Sequence, residues 1–413
     1  MKKKIVLLMA LVVVSFSLTG CGYLPSVLMS DMYGTSNGGT NAVTSGDTVT
    51  ISREEYERYK QFDTLLELMD LVDYGYFEEY DVQDMLDGAA NGLLLGLGDP
   101  YTFYYTPEEY AKLWEEDEGE YAGVGIQIST SYLTGLCTIS RVFDNGPARE
   151  AGVLKGDILY KVEDLYVNSA TVNDAVDIMR GTPGTKVHVV FLRGTEEIAF
   201  DLVRAQITVN RIESGMLTDD VGYIYLYEFA GDCAAEFEAA VKKLKLQGAK
   251  GLIIDLRDNP GGWVEDAEKI GDIFLDKGTL CYLQYNDGSR EYYRTKDGKT
   301  AMDLVILMNE NSASSSEILA GALKDRADAT IVGVQSYGKG IVQTVVGLDD
   351  GAGMQMTVAQ YYTPNGNAVH KVGITPDVEI HLPDGDVGMY EFGDLADVQL
   401  AKALEIMQQK LAK

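Results

Sequence analysis

Four serines stand where one predicted element ends and the next begins. The apolar, strand-like run DLVILMNE precedes them and the helix-like run EILAGALKD follows, and the serines are Ser312, Ser314, Ser315 and Ser316. Serine is a favoured helix N-cap, so one of these side chains is expected to cap the helix. A strand-to-helix turn also holds a hydroxyl clear of the sheet, with helix N–H groups that can stabilise an oxyanion. The run therefore predicts either a capped helix or a serine nucleophile.

A serine nucleophile needs a base, and the chain has only 3 histidines. His188 alternates within the strand-like run KVHVV, and His381 follows PDVEI near the end of the α/β region. His370 lies in NAVHKVGI. None of the three has the neighbours typical of a catalytic histidine, and His370 is kept as the alternative base.

Lysine is the other candidate base. Lys339 lies between two glycines, with the apolar run ATIVGV before it and the β-branched run IVQTVV after it. Burial disfavours the ammonium form, and a neutral amine can take a proton from serine. In an extended segment Lys339, Ile341 and Gln343 share one face. Gln343 is thus placed to hydrogen-bond the lysine amine and orient it without adding charge.

The same segment partly matches a phosphate-binding loop. Gly333 to Lys339 fit the pattern G-x-x-x-x-G-K, but Gly340 follows where a serine or threonine should bind magnesium. A phosphate loop must also lead into a helix, whereas IVQTVV is typical of a strand. We therefore reject a nucleotide site.

Length, charge and cysteine content limit the class of protein. The chain has 413 residues, of which 46% are hydrophobic, so two or three domains are expected. Its net charge of -30 would repel phosphate groups, and we expect no nucleic-acid partner. Cys137, Cys233 and Cys281 are widely spaced among apolar residues. No Cys/His spacing indicates zinc, so we expect neither a metal nor a cofactor.

The N-terminus predicts export. Three lysines precede the apolar run IVLLMALVVVSFSL, which ends in Leu-Thr-Gly-Cys21. A charged end, a short apolar stretch and small residues before a cleavage point are typical of a secretory signal peptide, here residues 1–20. The final tetrapeptide resembles the bacterial lipobox, in which the cysteine becomes the lipidated N-terminus. We therefore expect Cys21 to carry a lipid anchor.

Composition and periodicity divide the remaining chain into segments. Residues 21–50 are rich in Gly, Ser, Thr and Asn and are expected to form a flexible tether. Helical spacing of apolar residues marks the two helical regions, and short alternating runs mark the β-rich module. Alternation of strand-like with helix-like runs marks the α/β region. They predict a helical region over 51–118, a compact β-rich module over 119–205, an α/β region over 206–383 and a C-terminal helical region over 384–413.

The β-rich module resembles a PDZ domain. Its string GPAREAGVLKGDI fits the pattern GPAxxAGVxxGDxI of the bacterial type. In such domains an extended peptide adds to a sheet edge, and its C-terminal carboxylate meets backbone N–H groups. That loop is predicted to comprise Gly123, Val124, Gly125 and Ile126, where glycine lets the backbone approach a ligand closely.

The serine and lysine segments together resemble the carboxyl-terminal processing peptidases, also called tail-specific proteases. The first reads S-A-S-S-S-E-I-L-A-G-A-L-K-D and the second Y-G-K-G-I-V-Q. Other motifs of the family follow in the same order, namely GDPYTFYYTPEE, the PDZ domain, DLRDNPGGWVEDA, YYTPNGNAVHKVGITPDV and DVQLAKAL. The resemblance covers nearly everything after the tether.

This resemblance implies a role for individual residues. Ser314 is the implied nucleophile, Lys339 the implied general base, and Gln343 the residue that orients the lysine. The chain departs from the usual family pattern at Asn311, where glycine is usual, and at Ser315, where alanine is usual. The spacing to Lys339 favours Ser314 among the serines.

The resemblance also implies an oxyanion hole. The family's DLRDNPGG turn supplies a backbone N–H opposite the nucleophile, which we place at Gly262 with Gly261 as the nearby alternative. The second donor is the backbone N–H of Ser315, which the departure from alanine leaves intact.

The implied fold is multidomain α/β. A crotonase-like α/β peptidase core carries an inserted PDZ domain that gates the active site, between N- and C-terminal helical segments. The terminal helices are expected to pair two subunits into a homodimer.

The sequence therefore predicts a serine endopeptidase that cleaves extracytoplasmic polypeptides with free C-termini. We expect it to be lipid-anchored at the outer face of the bacterial cytoplasmic membrane. The alternative is a catalytically silent PDZ scaffold or regulatory binding protein at the membrane surface. The joint presence of Ser314, Lys339 and Gln343 disfavours that alternative.

Overall fold

The computed structural model describes residues 43–45, 48–117, 120–130, 134–143, 145–296, 300–383 and 390–413. The predicted signal peptide, Cys21 and most of the predicted tether lie outside these residues. The described chain divides into two compact units. One contains the residues up to 106 together with 344–356, and the other contains residues 107–343 and 357–413.

The first unit is mainly helical. A capping box at its start, in which Ser52 and Glu55 exchange backbone-to-side-chain hydrogen bonds, begins the first helix. Its elements are strands β1 (Val43–Ser45) and β2 (Thr48–Thr50), helices α1 (Arg53–Tyr59), α2 (Asp63–Gly75) and α3 (Val82–Leu95), and strand β3 (Phe103–Tyr105). None of the residues in these three helices is buried. Strand β3 pairs with residues 353–355 in the same unit.

The second unit opens with a helix and an antiparallel sheet. Its first elements are α4 (Pro107–Asp117), β4 (Glu120–Gly123), β5 (Ile126–Thr130), β6 (Cys137–Val142), α5 (Pro147–Ala151), β7 (Ile158–Val162), β8 (Leu165–Tyr166), α6 (Val172–Met179), β9 (Lys186–Arg193), β10 (Glu196–Val203) and β11 (Ala205–Thr208). The sheet order is β10-β9-β7-β6-β5, with β8 paired to β7. Burial alternates along β9 as a half-buried strand requires. Strands β4 and β11 pair at the entry and exit of the predicted PDZ module.

A mostly parallel sheet follows. The remaining elements are β12 (Ile212–Met216), β13 (Val221–Leu226), α7 (Cys233–Leu246), β14 (Gly251–Asp255), α8 (Val264–Phe274), β15 (Gly278–Tyr285), β16 (Arg290–Thr295), β17 (Asp303–Met308), α9 (Ser315–Ala327), β18 (Thr330–Gly333), β19 (Ile341–Gly347), β20 (Gly353–Tyr362), β21 (Val378–Glu379) and α10 (Val398–Leu411). The sheet order is β12-β13-β14-β17-β18-β21, and only β12 is antiparallel. A second sheet has the order β16-β15-β20-β19.

Both faces of the parallel sheet are covered, which explains why β14 is buried along its whole length. Helices α7, α8 and α9 contribute to the apolar cluster on one side, and α10 contributes to the cluster on the other. Leu400, Leu404 and Met407 of α10 are buried there. The carboxyl ends of β14, β17 and β18 lie at one edge of the sheet, where ligands of such sheets bind.

Candidate active site

Ser314 occupies the turn between β17 and α9 in a strained conformation. Its φ is 55° and its ψ is −119°, a region that residues other than glycine rarely adopt. The residue is 3% exposed. Its N–H donates to Glu317 Oε2 (3.0 Å), and its carbonyl accepts from the Tyr361 hydroxyl (3.1 Å). These contacts hold the backbone of the predicted nucleophile from two sides.

The other three serines of the run have a different task. Ser312 Oγ donates to the Leu256 carbonyl (2.7 Å), Ser315 Oγ to the Gly262 carbonyl (2.7 Å), and Ser316 Oγ to the Asn259 carbonyl (3.0 Å). All three acceptors belong to one stretch, residues 256–262. These hydroxyls therefore fasten the serine turn to the DLRDNPGG turn, which supports Ser314 as the reacting serine independently of its spacing to Lys339.

Two glycines bring the DLRDNPGG turn against the serine. Gly261 has a φ of 104°, and a Cβ there would lie 2.7 Å from Ser314 Cβ and 2.9 Å from Ser315 N. Gly262 has a φ of 138°, and a Cβ there would overlap the carbonyl oxygen of Phe229. Only glycine satisfies both the positive φ and the close approach at each position.

The N–H of Gly261 is already engaged, because it donates to Asn259 Oδ1 (2.9 Å). Asn259 is itself held through its Nδ2, which donates to the Leu226 carbonyl (2.7 Å). This arrangement favours Gly262 over Gly261 as the oxyanion donor.

Glu317 is a site residue that the sequence analysis did not single out. Its buried carboxylate accepts from the backbone N–H groups of Ser314 (3.0 Å), Gly338 (2.7 Å) and Lys339 (2.9 Å). It also accepts from the hydroxyls of Ser336 (2.5 Å) and Tyr361 (3.3 Å). One side chain thus joins the serine turn to the lysine segment.

Burial raises the pKa of Glu317, while the hydrogen bonds that it accepts lower the pKa in part. The spacing S-x-x-E from Ser314 was the available signal, since it is typical of a capping box. Nothing in that spacing shows that the carboxylate also reaches a segment more than 20 residues away.

Lys339 is 6% exposed and lies just before β19, which begins at Ile341. The neighbouring glycines are tightly packed: Gly338 has a φ of 86°, and a Cβ on Gly340 would overlap the backbone of His370. Lys371 N–H donates to the Gly338 carbonyl (2.8 Å). The lysine segment is thereby fixed against the predicted YYTPNGNAVHKVGITPDV motif.

Gln343 is also buried, and its Nε2 donates to Thr357 Oγ1 (3.3 Å). Of the histidines, His370 lies beside the lysine segment. His188 and His381 are exposed and contact carboxylates of Asp201 (2.7 Å) and Glu379 (3.1 Å). The geometry therefore leaves His370 as the one histidine near the predicted base.

The predicted carboxylate loop lies in the β-rich module. Gly125 has a φ of 81°, and a Cβ there would lie 2.7 Å from Gly146 Cα. The carbonyl of Val124 accepts from Ala148 N–H (2.9 Å), and that of Gly125 accepts from Phe143 N–H (3.0 Å). Gly123 ends β4 and Ile126 begins β5. These carbonyls point into the module, as a loop with outward N–H groups requires.

The described residues contain neither a candidate metal site nor a candidate membrane-spanning helix. Within these ranges, no group of three or more His, Cys, Asp or Glu side chains could hold a metal ion. The helices described here include none that is long and apolar enough to cross a membrane.

Comparison with known proteins gives consistent matches. Residues 220–380 match the family described as Peptidase family S41, and residues 138–193 match the PDZ domain. A carboxy-terminal-processing protease of Bartonella bacilliformis is 33% identical over 354 residues, which cover 83% of this chain and 80% of that protein. The carboxy-terminal processing protease CtpA of Bacillus subtilis is 34% identical over 327 residues, covering 78% and 70%.

A solved structure agrees with these matches. The photosystem II D1 C-terminal processing protease superimposes with a TM-score of 0.58 at 28% identity, covering 84% of this chain and 97% of that one.

Proposed function

The chain belongs to the carboxy-terminal processing proteases of peptidase family S41 and is a serine endopeptidase, and from this premise we propose a Ser–Lys mechanism. Ser314 attacks the peptide carbonyl while neutral Lys339 takes the hydroxyl proton. Lys339 then protonates the leaving amine, and water hydrolyses the acyl-enzyme with the same base. The backbone N–H groups of Gly262 and Ser315 stabilise each oxyanion.

The observation that carries this proposal is the double contact of Glu317. Its carboxylate accepts from the backbone of both Ser314 (3.0 Å) and Lys339 (2.9 Å). The segments of nucleophile and base are therefore fixed to one buried group, as a near-attack geometry requires. Burial of the lysine side chain disfavours its charged form and so favours a base. Gln343, which shares one face with Lys339 if the segment is extended, is proposed to orient the amine.

The PDZ domain is proposed to bind the free C-terminus of a polypeptide and to gate cleavage. The support is the loop at residues 123–126, whose carbonyls at Val124 and Gly125 are paired inward. N–H groups on the outer side of such a loop suit a terminal carboxylate. The proposed substrates are accordingly unfolded extracytoplasmic polypeptides with free ends.

The location is proposed from the N-terminal sequence alone. Cleavage before Cys21 and lipidation would anchor the protein at the outer face of the bacterial cytoplasmic membrane. Cys21→Ala should release the protein from membranes or block its maturation. Fractionation of this variant with membranes exactly as the wild type would contradict the lipid anchor.

We also propose a crotonase-like core and a homodimer formed by the terminal helices. The core proposal is supported by the parallel order β13-β14-β17-β18 with helices on both faces. The dimer proposal is supported by large apolar side chains that α2 and α3 expose, among them Leu65, Leu66, Leu71, Leu86 and Leu93. Sedimentation velocity of the wild type against Leu66→Glu tests it, and a monomeric wild type would contradict it.

The direct test of function is incubation with reduced, unfolded casein followed by mass spectrometry of the products. Wild type should yield internal cleavage fragments, and Ser314→Ala should yield none above background. A wild type without cleavage would favour the silent PDZ scaffold. Equal cleavage by Ser314→Ala would refute the assigned nucleophile.

A further inference from the structure

Arg257 is the buried arginine of the DLRDNPGG turn, and its guanidinium is held on two sides. It is 8% exposed. On one side Nε and Nη2 donate to the carboxylate of Asp255 (3.0 and 2.6 Å). On the other side Nη1 donates to Asp397 Oδ2 (2.6 Å) and Gln399 Oε1 (2.9 Å), 140 and 142 residues later in the chain. The turn is therefore tied to the C-terminal helix α10.

Asp397 performs two tasks at once. It is the N-cap of α10, because its Oδ1 accepts from the N–H groups of Gln399 (2.9 Å) and Leu400 (3.2 Å). Its Oδ2 accepts from Arg257. The residue is 2% exposed, so this carboxylate is largely screened from water. A helix cap alone needs one oxygen, and the second oxygen is directed at the turn.

The network continues into the turn itself. The Tyr223 hydroxyl donates to Asp255 Oδ2 (2.7 Å), and the Tyr225 hydroxyl donates to the Arg257 carbonyl (2.7 Å). Five residues after Arg257 stands Gly262, the proposed oxyanion donor. The backbone segment that leads to the Gly262 N–H therefore begins at Arg257, whose side chain and carbonyl are both held by hydrogen bonds.

A cavity of about 290 Å³ adjoins the turn. Its lining includes Arg257, Asp258 and Asp397 together with Arg149 and Lys155 of the PDZ domain. The polar contacts of Arg257 with α10 act on this turn in addition to the serine hydroxyls that fasten it.

We propose that Asp397 and Gln399 are positioning residues that hold the oxyanion turn through Arg257. They do not touch the substrate; they fix the place of the Gly262 N–H relative to Ser314. This inference rests on the proposed function, since it assumes that Gly262 serves the oxyanion. It gives α10 a role in the transition state in addition to its packing on the sheet.

The test is Asp397→Asn in the full-length chain. Asparagine is as good an N-cap as aspartate, so Oδ1 continues to cap α10. The new amide, however, turns a donor toward Arg257 Nη1, and the tie is lost. Asp81→Asn is the matched control, because Asp81 caps α3 by accepting from Gln83 N–H (2.8 Å).

Two readouts separate positioning from mere stability, with fluorescein-labelled casein as substrate. Displacement of a catalytic group costs about 10- to 100-fold in rate, so Asp397→Asn should lose that much in kcat with KM within about twofold. A tri-leucine aldehyde, which forms a tetrahedral adduct, should bind more weakly by the same factor. Asp81→Asn should change neither. Unchanged kcat, or equal loss in the control, overturns the proposal.

A second variant covers the case in which Asp397→Asn does not fold. Gln399→Ala removes a neutral acceptor from Arg257 and leaves the cap intact, so kcat should fall about two- to tenfold. The parallel assay of Ser314→Ala identifies which proposal has failed. If Ser314→Ala is inactive and both Asp397→Asn and Gln399→Ala have wild-type kcat, only the positioning role is wrong. If Ser314→Ala remains active, the proposed mechanism is wrong.

Discussion

Two glycine-containing loops of this protein are proposed to present backbone N–H groups to the substrate, and they are held in different ways. The oxyanion turn at residues 255–262 is fastened by buried side chains, among them Asn259, Arg257 and the serines beside Ser314. The carboxylate loop at 123–126 is fastened by backbone contacts, such as the Gly125 carbonyl to Phe143 N–H (3.0 Å).

This difference matches the function proposed for each loop. Hydrogen-bond donors stabilise a transition state only in a narrow geometry, and a misplacement of 1 Å can cost about a hundredfold in rate. Capture of a flexible chain end tolerates more variation, because the peptide can adjust to the loop. We therefore expect activity to be sensitive to polar side chains around the first loop. The second loop should be sensitive mainly to its glycines.

The largest effect is expected at the base itself. Lys339→Ala should abolish casein cleavage with the fold retained, and Lys339→Arg should not restore it, because arginine stays protonated. Wild-type activity should rise with pH as the buried amine loses its proton. Initial rates and circular dichroism check both statements. Substantial turnover by either variant would point to His370 as the base.

The next largest effect should come from Gly261→Ala. The new Cβ would lie 2.7 Å from Ser314 Cβ at a φ of 104°, so the turn must move. A displaced oxyanion donor costs about 100- to 1000-fold in kcat. Single-turnover kinetics measure the loss of the acylation rate. A variant within tenfold of wild type would show that the turn does not define the oxyanion hole.

Glu317→Gln should have an intermediate effect, about 10- to 100-fold in kcat, because charge-assisted hydrogen bonds to both catalytic segments are weakened. The stability of the wild type relative to this variant should also depend on pH in a defined direction. The pKa of Glu317 in the folded protein lies above its usual value of 4.5, so the folded state binds the proton more tightly than the unfolded state.

Wild-type stability relative to Glu317→Gln should therefore fall as the pH rises through this raised pKa. Urea unfolding of both proteins between acid and neutral pH measures the difference. A relative stability that increases with pH would contradict the raised pKa of the buried Glu317 carboxyl group.

The smallest effect should come from the carboxylate loop. Gly125→Ala would place a Cβ 2.7 Å from Gly146 Cα at a φ of 81°. Wild type should cut a substrate with a free apolar C-terminus about tenfold faster than its amidated form, the worth of one charge-assisted contact. Gly125→Ala should bring this ratio close to one. Equal cleavage of the two substrates by the wild type would show that the domain does not distinguish chain ends.

The sequence predicted those parts of the site whose signal lies within one short segment. The S-A-S-S-S-E and Y-G-K-G-I-V-Q segments identified Ser314 and Lys339 as candidates, and alternation of strands and helices predicted the α/β core. The family assignment and the PDZ domain were confirmed by comparison. The residues that align the two segments were missed.

These missed contacts are long-range. Glu317 resembles a simple capping residue until the fold brings Gly338 and Lys339 to its carboxylate. Tyr361 lies in a strand 44 residues from Glu317, and no spacing rule connects them. The tertiary contacts also give a second ground for choosing Ser314, because only the structure shows that the hydroxyls of the other three serines bind backbone carbonyls.

The most direct test of the Ser–Lys account is covalent labelling by a fluorophosphonate, followed by peptide mapping. Labelling requires a serine oxygen activated by a base, and it does not depend on the natural substrate. We predict a single adduct on Ser314 in the wild type, forming faster as the pH rises, and at most a trace in Lys339→Ala. An adduct on Ser312, Ser315 or Ser316, or undiminished labelling of Lys339→Ala, would contradict it.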